Sequence, residues 1–315
     1  MIFSYLIDKQ MNPSGQQCPF CNSTALKKFS AHASDTAVPC SVQMVECTSC
    51  ISAWQWPFHR SEKESISVFD DAYETGAEDS YFDPIKREAI ATIQCDFIIN
   101  QYPRTGKLLD IGCGDGSFAR IMANNNWQVT GLDPALPHSV NQQPSACNIQ
   151  FVRGTIDDIS DNELYDVITL WDVVEHLENP QNLIAEAASR LIPGGLLVIE
   201  TGNYQSAGRI TAGYNWWNYQ LDHRWYLAPP QLQNLMKESG LCDFRLADRV
   251  MRPWWKGRVD IPMPRLVTLI KSIVKRPFCF IDELQRYHKL WVGHTEWKEW
   301  GGLEIMTMVG RRPLT

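Results

Sequence analysis

The sequence predicts an α/β protein in which helices cover both faces of a doubly wound, mostly parallel sheet. From residue 107 onward, short apolar runs alternate with segments of helical periodicity, a pattern typical of parallel strands joined by crossover helices. A glycine-rich turn follows the first of these runs, in the stretch LLDIGCGDGSF at 108–118. With 315 residues, of which 44% are hydrophobic, the chain is long enough for one large domain and an appendage.

The elements of this sheet follow one another in order along the chain. A first helix is predicted at 85–102, where apolar residues recur at helical spacing after Pro84. The alternating region then predicts strands at 107–113, 127–133, 148–154, 165–172 and 196–201, with helices at 117–126 and 180–191. A helix at 229–240 and a strand at 241–248 come next, and a last strand is predicted at 302–312.

A long insertion separates the last two predicted strands. It contains about 50 residues, a length that favours a lid or a partner surface over a plain loop. The insertion includes several tryptophans and the basic run LIKSIVKR. We therefore expect a helical lid there.

Charge is unevenly distributed around the net value of −7. Residues 1–250 carry 17 Lys and Arg against 30 Asp and Glu, whereas residues 251–315 carry 12 against 6. The acidic body argues against nucleic acid as a partner. The basic tail fits a phosphate-bearing substrate, a protein partner or peripheral contact with an anionic membrane surface.

Targeting signals are not evident in the sequence. The opening MIFSYLIDKQ lacks a basic start and its apolar run is short, and no stretch approaches the roughly 18 apolar residues of a membrane span. We therefore expect a cytoplasmic protein. Ten cysteines in such a chain suggest metal ligation or free thiols more than disulfides.

Two C-x-x-C pairs, CPFC and CTSC, lie near the start of the chain and predict a zinc site with four ligands: Cys18, Cys21, Cys47 and Cys50. Cys40 and His32 are the substitutes if one ligand is wrong, and redox motifs or unrelated buried thiols are the alternatives. A closed four-thiolate site implies a structural or recognition role rather than catalysis. We expect this segment to have its own core and to pack on the main domain through Trp54, Trp56 and Phe58.

The glycine-rich turn predicts a ligand lying against the backbone. Gly112, Gly114 and Gly116 permit a tight turn and a close approach. Asp133, at the end of the next strand, has the position of a carboxylate that accepts hydrogen bonds from ribose hydroxyls. The pattern D-x-G-x-G-x-G places Asp110 beside the turn, which suits a ligand bearing a cation more than the pyrophosphate of a nicotinamide or flavin dinucleotide.

Two further motifs follow in the right order, YDVITLWDVVEHLENP at 165–180 and LIPGGLLVIETGN at 191–203. With the glycine turn, they make the chain resemble class I S-adenosylmethionine-dependent methyltransferases, in the subgroup that includes ubiquinone-biosynthesis O-methyltransferases and many natural-product and sugar methyltransferases. The resemblance covers roughly 61–250 and the last strand. It implies S-adenosylmethionine as cofactor and a Rossmann-like seven-stranded sheet whose last strand is antiparallel.

This resemblance and the cysteine pairs together divide the chain. The expected parts are a zinc-ribbon-like segment at 1–60, a helical cap at 61–105, the methyltransferase core at 106–250, the helical insertion at 251–300 and the last core strand and tail at 301–315.

The resemblance also implies which residues bind the cofactor. Gly112 and Gly114 would lie under the methionine part, with Asp110 organising its amino end. Asp133 would contact the ribose, and Pro134, Thr155 and Ile156 would surround the adenine. Leu170 and Trp171 would lie near the methionyl amino group. The last two expected residues, Tyr81 and Arg87, belong to the capping helix, where Arg87 would meet the carboxylate of the cofactor.

Methyl transfer needs alignment of donor and acceptor, and a base if the acceptor is a hydroxyl or an acidic carbon. His176 and His223 are the candidate bases, and we favour His223, with Asp222 beside it to orient the ring. His223 lies in YNWWNYQLDHRWYLAPP, whose aromatic side chains suit a wall that stacks on a ring or sugar: Tyr214, Trp216, Trp217, Tyr219, Trp225 and Tyr226. The alternatives are that this aromatic cluster is core and that His176 caps a helix or packs beneath the cofactor.

Magnesium is a further possibility that the resemblance raises. The ubiquinone-type enzymes use an acid-x-x-Glu-His pattern as a magnesium site, matched here by Asp172, Glu175 and His176, with Asp where that group often has Glu.

The function that follows is methyl transfer to oxygen or carbon of a small molecule such as a sugar, a glycan unit or a secondary metabolite. The alternatives are an RNA or protein methyltransferase that reads its substrate through the zinc segment, and a non-catalytic cofactor-binding scaffold.

Overall fold

The computed structural model describes residues 16–34, 40–75, 84–142, 148–247 and 305–314. The insertion expected at 251–300 and the cofactor residue Tyr81 lie outside these described residues.

Eleven strands are found in the described part of the chain. In chain order they are β1 (Leu26–His32), β2 (Ser41–Cys47), β3 (Ser52–Gln55), β4 (Lys107–Ile111), β5 (Gln128–Asp133), β6 (Ile149–Arg153), β7 (Tyr165–Trp171), β8 (Leu191–Gly202), β9 (Trp225–Tyr226), β10 (Cys242–Ala247) and β11 (Ile305–Arg311). The α-helices of the same residues are α1 (Glu62–Thr75), α2 (Pro84–Gln101), α3 (Ser117–Asn124), α4 (Pro180–Ser189), α5 (Ala207–Ala212) and α6 (Pro229–Glu238).

Seven strands form the large sheet, in the order β10-β11-β8-β7-β4-β5-β6. The pairs β4–β5, β4–β7, β5–β6 and β7–β8 are parallel, and β11 runs antiparallel to both β8 and β10. This topology confirms the mostly parallel seven-stranded sheet with an antiparallel last strand. The strand order reverses between β4 and β7, the place where doubly wound sheets bind ligands.

The element boundaries follow the sequence pattern closely, with one clear exception. The strand expected at 196–201 begins at Leu191, because Leu191 pairs with Tyr165 and the register then shifts before Val167. Gly194 makes this early start feasible, since its φ of +79° belongs to the left-handed region that glycine adopts without strain.

Helices pack on both faces of the large sheet. On α3 the buried residues Phe118, Ala119, Met122 and Ala123 recur at the spacing of one helix face. They join Trp127 and the α2 residues in one apolar cluster, where burial of each large side chain contributes about 1.5–3 kcal/mol relative to exposure. The opposite face of the sheet is covered by α4 and α6.

The small sheet joins the N-terminal segment to the main domain. Its order is β1-β2-β3-β9, and β9 comes from the chain between β8 and α6. Cys18, Phe20 and Trp54 belong to the same buried cluster as Trp225 and Leu227 of the main domain. The expectation of a separate N-terminal core is therefore wrong: the segment completes a core that the main domain leaves open on this side.

Among the helices of the described residues, none has both the length and the apolar character that crossing a bilayer requires.

Candidate active site

A cavity of about 1400 Å³ lies at the carboxyl ends of β4, β5 and β7. Most of the expected cofactor and catalytic residues line it: Arg87, Asp110, Gly112, Asp133, Pro134, Thr155, Ile156, Trp171, His176 and His223. Apart from Arg87 on α2 and His223 in the segment before β9, these residues end or follow β4, β5, β6 and β7 at one edge of the sheet, so the parallel topology itself brings them together.

The glycine turn after β4 has the backbone conformation that its glycines allow. Gly112, Gly114 and Gly116 have φ values of 74°, 54° and 75°, which side chains with a Cβ rarely adopt. A Cβ at Gly112 would lie 2.4 Å from Val173 Cγ2, and one at Gly116 would lie 2.6 Å from the Phe151 ring. The turn therefore requires glycine for its shape and for its close packing.

Asp133 ends β5 with a carboxylate fixed by the backbone. Its Oδ2 accepts a hydrogen bond from the Gly114 N–H and its Oδ1 accepts one from the Ala135 N–H, both at 2.8 Å. Burial raises the pKa of Asp133, and these two donors oppose that rise. Because each carboxylate oxygen has a second lone pair, the side chain can still accept hydrogen bonds from a diol in the cavity.

Asp110 is the buried acid of the site, with 1% of its surface exposed. Burial raises its pKa to about 7, although the Thr169 hydroxyl donates a hydrogen bond of 2.8 Å to Oδ1 and favours the ionised form. A positively charged group of a ligand beside Asp110 would favour the ionised form of this carboxyl group, because an adjacent positive charge stabilises a carboxylate.

Of three other expected cofactor residues, one lines the cavity, one lies in the core and one is outside the described residues. Arg87 lines the cavity and forms an ion pair with Asp115, Nε to Oδ2 at 2.8 Å, which holds it across the glycine turn. Leu170 is fully buried, and its side chain belongs to the apolar core. Tyr81 lies outside the described residues.

His176 is paired with Asp222, its Nδ1 lying 3.3 Å from Oδ2. Burial disfavours the charged ring and lowers the pKa of His176. The negative charge of Asp222, the hydrogen bond to its oxygen and further acids nearby have the larger, opposite effect, and together they raise the pKa of His176 to about 9. Burial likewise works against ionised Asp222, yet His176 lowers the pKa of that carboxyl. The two residues form an ion pair at neutral pH. Asp222 therefore orients His176, and the expectation that it orients His223 is wrong.

His223 lies directly beside this ion pair. The rings of His176 and His223 are 4.6 Å apart between centroids and meet edge to face. Nδ1 of His223 lies 3.0 Å from the Asn218 carbonyl oxygen. Since a carbonyl only accepts hydrogen bonds, Nδ1 carries a hydrogen, and when the ring is neutral the lone pair is on Nε2.

The magnesium motif stays a prediction. In the described residues, the ligand atoms of Glu175, His176 and His223 lie within 4.8 Å of one another, so His223 has the place in this group that the motif assigned to Asp172. Glu175 is buried, which raises its pKa to about 7 against the opposing charge of His176. Asp172 itself sits at a strained turn, with φ of +54°.

The aromatic stretch divides into core and surface. Trp216, Tyr219, Trp225 and Tyr226 are buried, whereas Trp217 is 37% exposed and lines the cavity together with the neighbouring amides of residues 218 and 220. Tyr214 is exposed and its ring packs 5.3 Å from Phe29. The core interpretation thus holds for the buried members, and the stacking wall stays a prediction for which Trp217 is the ring that lines the cavity. We call residues 216–228 the acceptor segment.

Sequence reasoning missed two contributions to the cavity. Helix α1 covers it with Ser65, Val68 and Phe69, and the Phe69 ring packs 5.3 Å from the His176 ring. Ser34 and Arg60, from the N-terminal segment, line it as well. The spacing of Ile66 and Phe69 in an otherwise polar stretch hinted at an apolar helix face, but Ser34 gave no local signal.

The four paired cysteines converge at the end of the small sheet where β2 leads into β3. Their sulfur atoms all lie within 4.8 Å of one another, with Cys18–Cys50 and Cys21–Cys47 at 3.6 Å. A zinc ion bound tetrahedrally at about 2.3 Å from each sulfur separates the sulfurs by about 3.8 Å, so the four thiols fit that ion. The two substitute ligands, His32 and Cys40, are described residues that do not belong to this cluster.

A doubly wound sheet, a left-handed glycine turn, a buried acid and a fixed carboxylate on the next strand together define a protein that binds a nucleoside-containing cofactor. A family model described as a methyltransferase domain matches residues 86–243, half of the chain. The chain therefore belongs to this methyltransferase family, and it is an S-adenosylmethionine-dependent enzyme. The matched range begins after the four cysteines.

Individual relatives agree with this assignment. The chain is 29% identical over 172 residues to a ubiquinone biosynthesis O-methyltransferase of Rickettsia canadensis, a match that covers 50% of this chain and 71% of that protein. The corresponding enzyme of Maricaulis maris is 29% identical over 176 residues, covering 51% and 69%. The fold is also that of the 1,6-didemethyltoxoflavin-N1-methyltransferase of Burkholderia thailandensis, with a TM-score of 0.54 at 13% identity over 90% of this chain and 99% of that one.

Proposed function

We propose that the enzyme transfers the methyl group of S-adenosylmethionine to an oxygen atom of a small hydroxylated ring compound, with His223 as general base. The observation that carries this proposal is the pairing of His223 Nδ1 with the Asn218 carbonyl at 3.0 Å, beside the cavity that the expected cofactor residues line. A hydroxyl acceptor needs a proton acceptor near it during transfer, and Nε2 of the neutral ring is suited to that task.

The cofactor half of the site supports this role. Asp133 would accept hydrogen bonds from the ribose hydroxyls, and Asp110 would face the cationic end of the methionine part. When bound, S-adenosylmethionine supplies an electrophilic methyl group on a sulfonium. The chain's own residues then hold and align the two reactants, which accounts for much of the rate of an in-line displacement.

The ion pair of His176 and Asp222 has a supporting part in the proposal. It places a positively charged ring 4.6 Å from the His223 ring. Such a charge stabilises the negative charge that develops on the acceptor oxygen as it loses its proton. His176 already holds its proton at neutral pH, since its pKa is about 9, so the part of proton acceptor falls to His223.

The acceptor class follows from the lining of the opposite wall. The half-exposed Trp217 ring offers a flat apolar face, and Asn218, Gln220 and Ser34 add polar groups around it. An aromatic face ringed by amides and hydroxyls suits a hydroxylated aromatic ring or a sugar. The ubiquinone-biosynthesis relatives named above point in the same direction, toward a small molecule methylated on oxygen.

The experiment uses S-adenosylmethionine labelled with ¹³C in its methyl group and a panel of catechols, phenols and sugars. We expect a labelled methoxy product, with turnover lowered roughly 10²–10⁴-fold in His223→Ala and unchanged in His138→Ala, a matched change at an exposed histidine away from the cavity lining. Label on carbon or nitrogen, or equal turnover of the two variants, would contradict the proposal.

We also propose that zinc binds to Cys18, Cys21, Cys47 and Cys50. The fit of their sulfur separations to a tetrahedral ion supports it. Four thiolates leave no open coordination position, so the metal would act structurally. Elemental analysis of natively purified protein should return one zinc per chain; a metal-free sample that keeps its native fold would argue against this assignment.

Cytoplasmic location and the fit of the basic tail to a phosphate-bearing acceptor stay predictions.

A further inference from the structure

The N-terminal segment, residues 16–60, forms part of the framework of the acceptor segment. Strand β3 pairs antiparallel with β9, in register Ala53 with Tyr226 and Trp54 with Trp225. In the described residues β9 has β3 as its only neighbour in the small sheet. The two-residue strand of the acceptor segment is thus held in place by the N-terminal segment.

Hydrogen bonds extend this support along the acceptor segment. The buried Gln55 amide donates to the carbonyl oxygens of Gln220 at 2.7 Å and Leu221 at 3.3 Å, immediately before Asp222 and His223. The Gln55 backbone N–H donates to the Arg224 carbonyl at 2.9 Å, directly after that pair. The backbone that carries Asp222 and His223 is therefore held on both sides by one residue of β3.

Further contacts hold the two ends of the acceptor segment. The Ser34 N–H donates to the Tyr219 carbonyl at 2.8 Å, and the Ser34 hydroxyl donates to the Trp217 carbonyl. At the other end, the Ala228 N–H donates to the Ser52 hydroxyl at 3.1 Å. Since backbone groups in a buried loop need such partners, Ser34 and residues 52–55 support the conformation of the segment, together with the Glu175 carbonyl, which accepts from the Arg224 and Trp225 N–H groups.

The four cysteines fix the residues that make these contacts. Phe20 lies between Cys18 and Cys21, and its ring packs edge to face on Trp54 and Trp225, at 6.4 and 5.4 Å between centroids. On the other side of the cluster, Cys47 ends β2 and Cys50 precedes β3 by two residues. A metal bound by these thiolates would clamp both the Phe20 loop and the start of β3.

The cofactor half of the site has its supports elsewhere. The hydrogen bonds of Asp110 and Asp133 come from Thr169, Gly114 and Ala135, all within the large sheet and its turns. Neither carboxylate is supported by the N-terminal segment, whereas the acceptor segment is held both by that segment and by the loop after β7, whose Glu175 carbonyl accepts hydrogen bonds from the Arg224 and Trp225 N–H groups.

From this division we infer that the four-cysteine metal site determines the geometry of the acceptor half of the active site, and with it acceptor specificity, without contributing to cofactor binding. The inference rests on the proposed zinc assignment and adds a role in positioning His223 and Trp217. A metal of this kind would act on methyl transfer from outside the cavity, through the pairing of β3 with β9.

The test compares three variants of the full chain with the wild type. Cys21→Ser/Cys50→Ser removes one ligand from each pair, Gln55→Ala removes the side-chain bonds while keeping all four cysteines, and Cys40→Ser is the matched control in the same segment. For each protein we measure zinc content, the affinity for S-adenosylhomocysteine by calorimetry, and amide hydrogen exchange across 216–228, which reports local opening.

We expect the double variant to lose its zinc, to exchange about tenfold or more faster in 216–228, and to bind S-adenosylhomocysteine within about threefold of the wild type. Gln55→Ala should keep its zinc and show the same faster exchange, so it still tests the link through β3, on which the inference depends, if the double variant fails to fold. Cys40→Ser should match the wild type.

Unchanged exchange in 216–228 after loss of zinc, or in Gln55→Ala, would overturn the inference, as would a parallel loss of cofactor affinity. A wild-type protein without zinc would overturn the metal assignment and this inference with it, while leaving the methyltransferase chemistry intact.

Discussion

Replacement of Asp222 by asparagine should lower the pKa of His176, so that its ring is uncharged at neutral pH. In the wild type, the charge of Asp222 overcomes burial and holds the pKa of His176 at about 9, against an ordinary value of about 6.5. A tenfold change in a protonation equilibrium corresponds to about 1.4 kcal/mol, so the surroundings of His176 in the folded protein, with burial included, favour the charged ring by about 3 kcal/mol. The substituted amide would keep the shape of the side chain and remove its charge, while burial would still favour the neutral ring. We therefore expect the pKa of His176 in Asp222→Asn to fall to its ordinary value or below.

The same change has a consequence for stability. A histidine whose pKa is raised on folding stabilises the protein fully below its unfolded pKa, and this contribution disappears as the pH rises through the folded pKa. The difference in unfolding free energy between wild type and Asp222→Asn should therefore be about 3 kcal/mol at pH 6 and shrink toward pH 10.

Two assays check this prediction. Ring resonances of ¹⁵N-labelled histidine give the pKa of His176 directly, and urea unfolding at the two pH values gives the stability difference. Asp161→Asn is the matched control, because the Asp161 side chain is 95% exposed. A wild-type His176 that titrates near 6.5, or one that still titrates near 9 in Asp222→Asn, would refute the reasoning.

Three further predictions concern the cofactor and the base. Asp133→Ala should weaken S-adenosylhomocysteine binding by about 3 kcal/mol, roughly 100-fold, because two hydrogen bonds to a charged group are lost at about 1.5 kcal/mol each; calorimetry that finds less than a threefold loss would count against the ribose contact. Cofactor affinity should fall as the pH drops below about 7, since the pKa of Asp110 is about 7 and a cation binds its ionised form; the pH dependence should vanish in Asp110→Asn. His223→Ala should leave cofactor affinity near normal while His176→Ala lowers both affinity and turnover, and an equal loss of cofactor affinity in the two variants would show that the histidines are not divided in this way.

The large sheet and the cofactor half of the site could be predicted from the sequence because their signals are local. Alternation of strands and helices fixes a parallel sheet, and the glycines of 112–116 mark the turn at its carboxyl edge. Asp110 and Asp133 end neighbouring strands, so their convergence follows from topology alone. The one boundary error, the early start of β8, arose because a pairing of Leu191 with Tyr165 outweighed the turn signal of the following Pro-Gly-Gly.

The acceptor half could not be predicted in the same way, because contacts between distant residues determine it. Pairing of Trp54 with Trp225 joins positions that no local pattern relates. Asp222 is adjacent to His223 in sequence, yet its carboxylate pairs with His176, a residue that lies 46 positions earlier in the chain and reaches it only through the fold. Aromatic composition alone also cannot separate the buried Trp216 from the half-exposed Trp217. These features become visible only in the three-dimensional structure.

Calorimetric titration of the wild-type protein with S-adenosylmethionine, and separately with NAD, tests the central claim most directly. The turn at Gly112–Gly116, with Asp110 and Asp133 around it, should bind one S-adenosylmethionine per chain and give no heat with NAD. Binding of NAD, or no binding of S-adenosylmethionine, would contradict the account of this cavity.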